Sequence, residues 1–222
     1  MMFIIVTCRS LLWFLSTIGT FMAVLSATFY PRWLISENKT YYNKKLNKTY
    51  EYNDRIGIYN KCQFSRRLKK VFCRPYASEL TEVTSIAWQC ALFFLGVSLL
   101  LLGIACIFAI ISFCKQIIKR KSLMNLAGIL QTFAGLFMIV VCILYPLGWD
   151  NDNIKDICHN ENQKASKFNM GNCSMGLSFF CAIGGMAGCF FCAMFSFVAD
   201  KAVFSAKVQD EILEGKRLIC VF

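Results

Sequence analysis

Four uncharged apolar runs divide the chain: residues 11–30, 86–113, 123–149 and 175–199. None contains Asp, Glu, Lys, Arg or His. At about 1.5 Å of rise per residue, each is long enough to cross a ~30 Å hydrocarbon layer as a helix. Polar segments separate them: a long loop at 31–85, a short basic one at 114–122, another loop at 150–174 and a tail at 200–222. The pattern predicts an all-α membrane protein, a four-helix transmembrane bundle forming one tetraspan domain over residues 1–222. Within the first long loop, 30–35 and 50–64 are partly alternating and rich in β-branched and aromatic residues. They predict strands of a small sheet outside the membrane. Residues 39–48 are polar and Asn/Lys-rich, and read as a flexible tip.

The small residues inside the runs add a packing expectation. Gly96 and Gly103 are seven apart, as are Gly128 and Gly135, and Gly184 and Gly188 form a Gly-x-x-x-Gly. Close backbone approach holds helices together in lipid, so these faces serve intramolecular packing or dock another membrane protein. Gln89 and Gln131 are candidates for hydrogen bonds between helices. Tyr30, Trp33, Trp88, Tyr145 and Trp149 lie near the same ends of the runs, where aromatic rings are expected among lipid headgroups.

Charge sets the orientation. The chain carries 24 Lys and Arg against 13 Asp and Glu, a net +11. All of it lies in loops and tails, so lipid headgroups are its nearer partner, and no recognition motif points to nucleic acid. The first long loop is the most basic segment, but the positive-inside rule weakens for long loops. The short loop with Lys115, Lys119, Arg120 and Lys121 reads as cytosolic. So do both termini. The first apolar run is too long for a signal-peptide core. Acceptor triplets at Asn38-Lys39-Thr40, Asn47-Lys48-Thr49 and Asn172-Cys173-Ser174 then fall on the outer side, as candidate glycosylation sites. So do Cys62, Cys73, Cys158 and Cys173, four of the 13 cysteines. Four cysteines allow three pairings, and Cys62–Cys73 with Cys158–Cys173 is the expected one.

Candidate chemistry is sparse. His159 is the single histidine, which removes His-pair zinc sites. Asp150, Asp152, Asp156 and Glu161 have partial calcium-loop spacing, but Ile154 and Lys155 stand where an oxygen ligand and a Gly turn are needed. Cys189-x-x-Cys192 would suit a membrane thiol oxidoreductase, yet it lies deep in the fourth run among Phe residues, a setting for packing cysteines. No enzyme, cofactor or metal is expected. In the tail, residues 207–214 have apolar positions one helical turn apart and predict a short helix along the membrane. Glu214 followed by Leu218-Ile219 has the spacing of a dileucine sorting signal for a clathrin adaptor; the same apolar residues could equally dip into lipid. Cys8, Cys114 and Cys220 lie near the inner face and are candidates for palmitoylation. Cys220 does not fit a prenylation box. The outer basic residues Arg66, Arg67, Lys69 and Lys70 face solvent or meet an acidic ectodomain.

Trp33, then Gly57-Ile58-Tyr59 shortly before Cys62, then Cys73, resembles the first-loop signature of claudin-like tetraspans. Leu144-Tyr145-Pro146-Leu147-Gly148-Trp149, with Cys158 and Gly171-x-Cys173-x-x-Gly176 following, makes the chain similar to the lipoma HMGIC fusion partner-like tetraspan family. Two positions depart from that family's pattern: His159 follows Cys158 where Gly is usual, and Leu177 stands where Trp is usual. The resemblance implies a four-helix bundle whose outer sheet is held by a Cys62–Cys73 bridge, and no catalysis. It implies an accessory role, since better-understood relatives bind, traffic or stabilise larger receptors and channels. The expected location of this chain is the plasma membrane, endosomal membranes or both. Self-assembly at cell contacts, as in claudins, is the alternative it offers.

Overall fold

The computed structural model describes residues 4–43, 47–65, 70–75, 85–113, 117–118, 121–158, 165–203, 205, 208, 210 and 218–221. In chain order the elements are β1 (Ile4–Thr7), α1 (Cys8–Phe29), β2 (Leu34–Ile35), β3 (Lys39–Asn43), β4 (Lys48–Tyr52), β5 (Arg55–Ile56), β6 (Asn60–Ser65), β7 (Lys70–Pro75) and α2 (Ile86–Ser112). There follow β8 (Ile117–Ile118), β9 (Lys121–Ser122), α3 (Leu123–Leu147), α4 (Asp152–Cys158), β10 (Ser174–Met175), α5 (Leu177–Val203) and β11 (Leu218–Val221). The four long helices, α1, α2, α3 and α5, are long and apolar enough to span a membrane. A small antiparallel sheet lies between the first two of them in sequence.

Each long helix buries one narrow seam. In α2 the buried positions are Trp88, Ala91, Leu95, Ser98, Leu102, Ala105, Ala109 and Ser112. In α5 they include Ser178, Ala182, Gly185, Cys189, Cys192, Ser196, Ala199 and Val203. α1 and α3 follow the same alternation of three and four, through Trp13, Thr17, Thr20 and Val24, and through Ala127, Gln131, Ala134 and Met138. This is the period of seven that keeps a seam facing its neighbours. Its occupants are mostly Ala, Ser, Thr, Gly and Cys, small enough for backbones to approach closely without water to drive them together.

The chain divides into two compact units to which all four long helices contribute: Met1–Val24 with Gly96–Ile139 and Gly184–Phe222, and Leu25–Leu95 with Val140–Ile183. In the first, a buried cluster joins Trp13, Ala105, Ala109, Met124, Ala127, Ala199, Val203 and Val208. Polar groups here are tied within the seams. Gln131 Nε2 donates to Thr17 Oγ1 at 2.9 Å, and Thr17 Oγ1 donates to the carbonyl of Trp13 at 2.8 Å. Asp200, near the end of α5, accepts from Ser122 Oγ and from Asn125 Nδ2. It thus ties α5 to the first turn of α3, where an anion is favoured by the helix dipole. Thr7 caps α1: its Oγ1 accepts from the Ser10 N–H at 3.1 Å while Ser10 Oγ accepts from the Thr7 N–H at 2.9 Å. β1, which leads into this cap, pairs in parallel with β11.

The second unit carries a five-stranded sheet in the order β10-β2-β5-β6-β7. Leu34 lies opposite Ile56, so both share one face, and both are buried. Cys62 lies opposite Cys73 on the other face, with Phe64 two positions along. A separate hairpin, β3–β4, covers that face. Its Tyr41 and Tyr52 rings lie 5.4 Å and 4.4 Å from the ring of Phe64.

Several sequence expectations change. The strand expected over 30–35 shrinks to β2. The Tyr30 N–H continues the helix to the Ser26 carbonyl, and the Arg32 N–H turns back to the Tyr30 carbonyl. The tip expected over 39–48 is a ladder running from Lys39–Tyr52 to Asn43–Lys48, because its Thr and Tyr residues suit a strand and its rings pack on Phe64. α4 was not expected; Ile154 and Ile157 anchor it, three residues apart and buried. α1 begins before residue 11, at its cap, and Met175 pairs in the sheet instead of opening the fourth helix. Of the tail helix expected over 207–214, Val208 and Asp210 are helical, and most of the stretch lies outside the described residues.

Candidate functional site

The second unit is built round an aromatic cluster. Trp33, Trp88 and Tyr145 are fully buried and Trp149 nearly so. Trp33 Nε1 donates to the Ala27 carbonyl at 2.6 Å, and its ring lies 4.6 Å from that of Tyr145 and 5.8 Å from that of Phe179. Trp88 stacks flat on Tyr145, at 5.3 Å and 4°, and its Nε1 donates to the Tyr145 carbonyl at 3.0 Å. Trp149 meets Tyr145 edge-on. The sequence placed these rings among headgroups. Here four of them fill an interior, because Trp33, Trp88 and Trp149 all pack against the ring of Tyr145 and two of the indoles also have a protein partner for the N–H. Tyr30 alone of the five is exposed.

The signature residues explain one another. Gly148 leaves room for Trp88; a Cβ there would run into the indole ring. Pro146 lies in the last turn of α3, and its carbonyl accepts from the Phe168 N–H at 3.2 Å, joining the second loop to the helix. Gly57 stands where a Cβ would come within 2.9 Å of the Pro31 Cα. Its N–H donates to the Asn60 carbonyl at 2.7 Å, closing the β5–β6 turn. Ile58 is buried in that turn, and Tyr59 meets Phe29 edge-on at 6.4 Å. Backbone bonds then lock the sheet to the helix ends: Trp33 N–H to Ile56 carbonyl, Gly176 N–H to Trp33 carbonyl, and Ser178 N–H to Arg32 carbonyl.

Cys62 is bonded to Cys73 and Cys158 to Cys173. The first bridge staples the β6–β7 hairpin. The second closes the α4 loop, where Gly171 adopts φ +60°, open to glycine without strain. β7 is the sheet's edge and is exposed along its length, including Val71 and Phe72. A shallow groove beside it is lined by Gln63, Phe64, Ser65, Phe72 and Arg74. Lys61 lies directly opposite Arg74. Partial burial lowers the Lys61 pKa, the Arg74 charge lowers it further, and Asp156 pulls it back up. Asp54 is buried and held three ways, by Lys39 Nζ at 2.9 Å, by the Phe64 N–H, and through its own N–H to Ser36 Oγ.

The remaining candidates separate. Asn38 and Asn47 are exposed on the β3–β4 side, Asn47 with φ +49° and its Oδ1 accepting from the Tyr42 hydroxyl. Asn172 is half-buried, its N–H bound to the Cys158 carbonyl at 3.0 Å. Cys189 and Cys192 are both fully buried in the α5 seam, with Cys192 Sγ 3.4 Å from Thr20 Oγ1. That arrangement suits packing, not exchange with a substrate disulfide. Asp150 pairs with Lys155 at 2.6 Å, Glu161 lies outside the described residues, and no three metal-ligating side chains come together among the described residues. Cys8 is exposed at the first turn of α1; Cys114, Arg66, Arg67, Lys69 and Glu214 lie outside the described residues. Leu218 and Ile219 are in β11.

The glycine expectations divide as well. Gly128 and Gly135 pack on α5, against Ser196 and against Phe190 with Cys189. On α5 the packed pair is Gly185 and Gly188, against Val24 and Thr20, not Gly184 and Gly188. Gly184 and Gly96 have nothing within 4 Å of an added Cβ, and Gly103 has only the edge of Phe21 at 4.0 Å. The repeat of seven was visible in Gly96 and Gly103, but the buried seam runs through their neighbours Leu95 and Leu102.

Comparison with known proteins agrees with this architecture. The family model described as lipoma HMGIC fusion partner-like protein matches residues 9–201. The chain is 38% identical to the human LHFPL tetraspan subfamily member 2 protein over 98% of both chains, and 38% identical to the zebrafish member 2a protein with the same coverage. Mouse member 4 is more distant, 28% identical over 64% of this chain and 56% of its own. With a capped first span, four membrane-crossing helices, a stapled sheet and this match along nearly its whole length, the chain belongs to the LHFPL tetraspan family of multi-pass membrane proteins.

Proposed function

We propose that this protein is a non-enzymatic accessory subunit that binds and helps to traffic a larger membrane protein. The observation that carries the reading is the set of vacant glycines on outward helix faces, Gly19 on α1, Gly96 on α2 and Gly184 on α5. In lipid, a second helix gains most where backbone can approach backbone. Seam glycines such as Gly188 are already filled from within; these three are not. Residues 1–222 act as one tetraspan unit in the plasma membrane or endosomal membranes. The sheet lies outside, where the two disulfides and the exposed acceptors Asn38 and Asn47 suit an oxidising, glycosylating compartment. Both termini are cytosolic, and Glu214 with Leu218-Ile219 is read by a clathrin adaptor.

The test is the composition of the native complex, purified in mild detergent from cells that express the protein naturally. A larger membrane protein in fixed ratio supports the reading, and Gly96→Leu with Gly184→Leu should then release it. A second reading, lateral self-assembly, is favoured by β7, an edge strand exposed throughout with apolar Val71 and Phe72. Oligomers of this chain alone would support that one.

A further inference from the structure

The apolar end of the proposed sorting signal lies within a strand. β11 runs parallel to β1, with Leu218 opposite Ile4, Ile219 opposite Ile5, Cys220 opposite Val6 and Val221 opposite Thr7. Paired strands lie about 4.8 Å apart, and their main-chain groups bond one another. A receptor that reads an extended peptide needs the same backbone and the space around it. The two cannot hold Leu218-Ile219 together.

β1 is not a loose terminus. It runs without a break into α1, and the junction is fixed by the reciprocal Thr7–Ser10 cap, both residues buried. The tail is tethered too, since Val208 is buried in the cluster around Trp13 and Met124. The register brings Val221 level with the cap residue itself. At about 3.3 Å per residue, Leu218 then lies only about 10 Å from the start of the first span.

We propose that β1 masks the sorting signal. In the paired state Leu218-Ile219 is held against the amino-terminal strand and goes unread; in the unpaired state an adaptor takes it. A two-stranded pair is marginally stable by itself in water. The open state is therefore within reach, and any partner that binds residues 4–7 moves the balance. The inference rests on the sorting reading of the tail given above.

Proline substitution tests it, because proline cannot donate to a ladder. Alternate residues of a strand face each partner, so Ile5→Pro and the double variant Ile4→Pro with Val6→Pro between them break the pair whichever set bonds. Surface-labelled protein is followed into the cell. With an open fraction of about 10–30% in the native chain, unmasking should raise internalisation ~3–10-fold. Leu218→Ala with Ile219→Ala should abolish the rise. If the proline variants internalise like the native chain while the alanine pair slows uptake, masking is wrong and the sorting reading stands. If neither set of changes alters uptake, alone or combined, both are wrong. A rise that survives the alanine pair also overturns masking. A second measurement does not depend on trafficking. Val6→Cys places a thiol opposite Cys220, and mild oxidation of the purified protein should join the two in one chain, as peptide mapping reads. No such link in folded protein overturns the pairing.

Discussion

Glycines with the same helical propensity have opposite surroundings here. Gly148 faces the ring of Trp88, which is itself stacked on Tyr145 and bonded to its carbonyl, so the ring has little room to yield. Gly148→Ala should destabilise by about 1–3 kcal/mol through overpacking. Gly184→Ala, with open space, should be neutral or stabilising by up to about 1 kcal/mol. Thermal unfolding in detergent separates the two. Trp33→Phe keeps a ring in the cluster but orphans the buried Ala27 carbonyl, and should cost about 1–3 kcal/mol. Gln131→Leu should cost only about 0.6 kcal/mol, since Thr17 keeps its own bond to the Trp13 carbonyl. Acidity acts on Asp150, whose carboxyl the Lys155 ammonium holds below its ordinary value. A depressed carboxylate stabilises above its unfolded pKa and loses that contribution as pH falls through the folded one. The Asp150–Lys155 pair should thus survive mild acid and open only below about pH 3.8, as hydrogen exchange across α4 would record.

The element most exposed to chemical failure is the β6–β7 hairpin. Its far strand is exposed throughout, and a single bridge with 11 residues of separation clamps it. Cys62→Ser should cost about 3 kcal/mol by chain entropy and hold much of the protein in the endoplasmic reticulum, measured as lost surface delivery. The helices and the clamp on this hairpin were legible from the sequence, because apolar runs of membrane length and paired cysteines are signals that survive without knowing the fold; β7 itself, outside the strands expected over 30–35 and 50–64, was not. The aromatic cluster was legible as residues but not as a place. Tyr145, Trp149 and Trp88 lie at span ends in sequence, and only the stacking of rings from separate helices turns a surface belt into an interior. The β3–β4 hairpin was hidden by its Asn and Lys content, although Thr40, Tyr41, Thr49 and Tyr50 alternate with it as strand formers. The β1–β11 pair joins the two ends of the chain, a separation at which local pattern carries no information.

At the scale of the molecule, all four long helices follow one economy: small residues make up much of the inward seam, large apolar residues cover the outward faces, and charge is left to the ends. Leu100, Phe93, Phe133, Phe180 and Met194 are exposed in this way. Such helices offer an apolar surface to a partner, and the mass of the native complex is the measurement that speaks to it directly: accessory binding predicts a second chain in fixed proportion. The placement of tryptophan gives a way to watch this happen. The chain has four, and Trp33, Trp88 and Trp149 all lie in the second unit, with Trp13 in the first, none more than 1% exposed. Emission from the native protein should be blue-shifted and resist acrylamide, and three of its four sources report on the unit that carries the sheet. With Trp13→Phe, the fluorescence becomes an optical reading of that unit alone, through reduction of its disulfides, loss of a clamp, or the arrival of a partner.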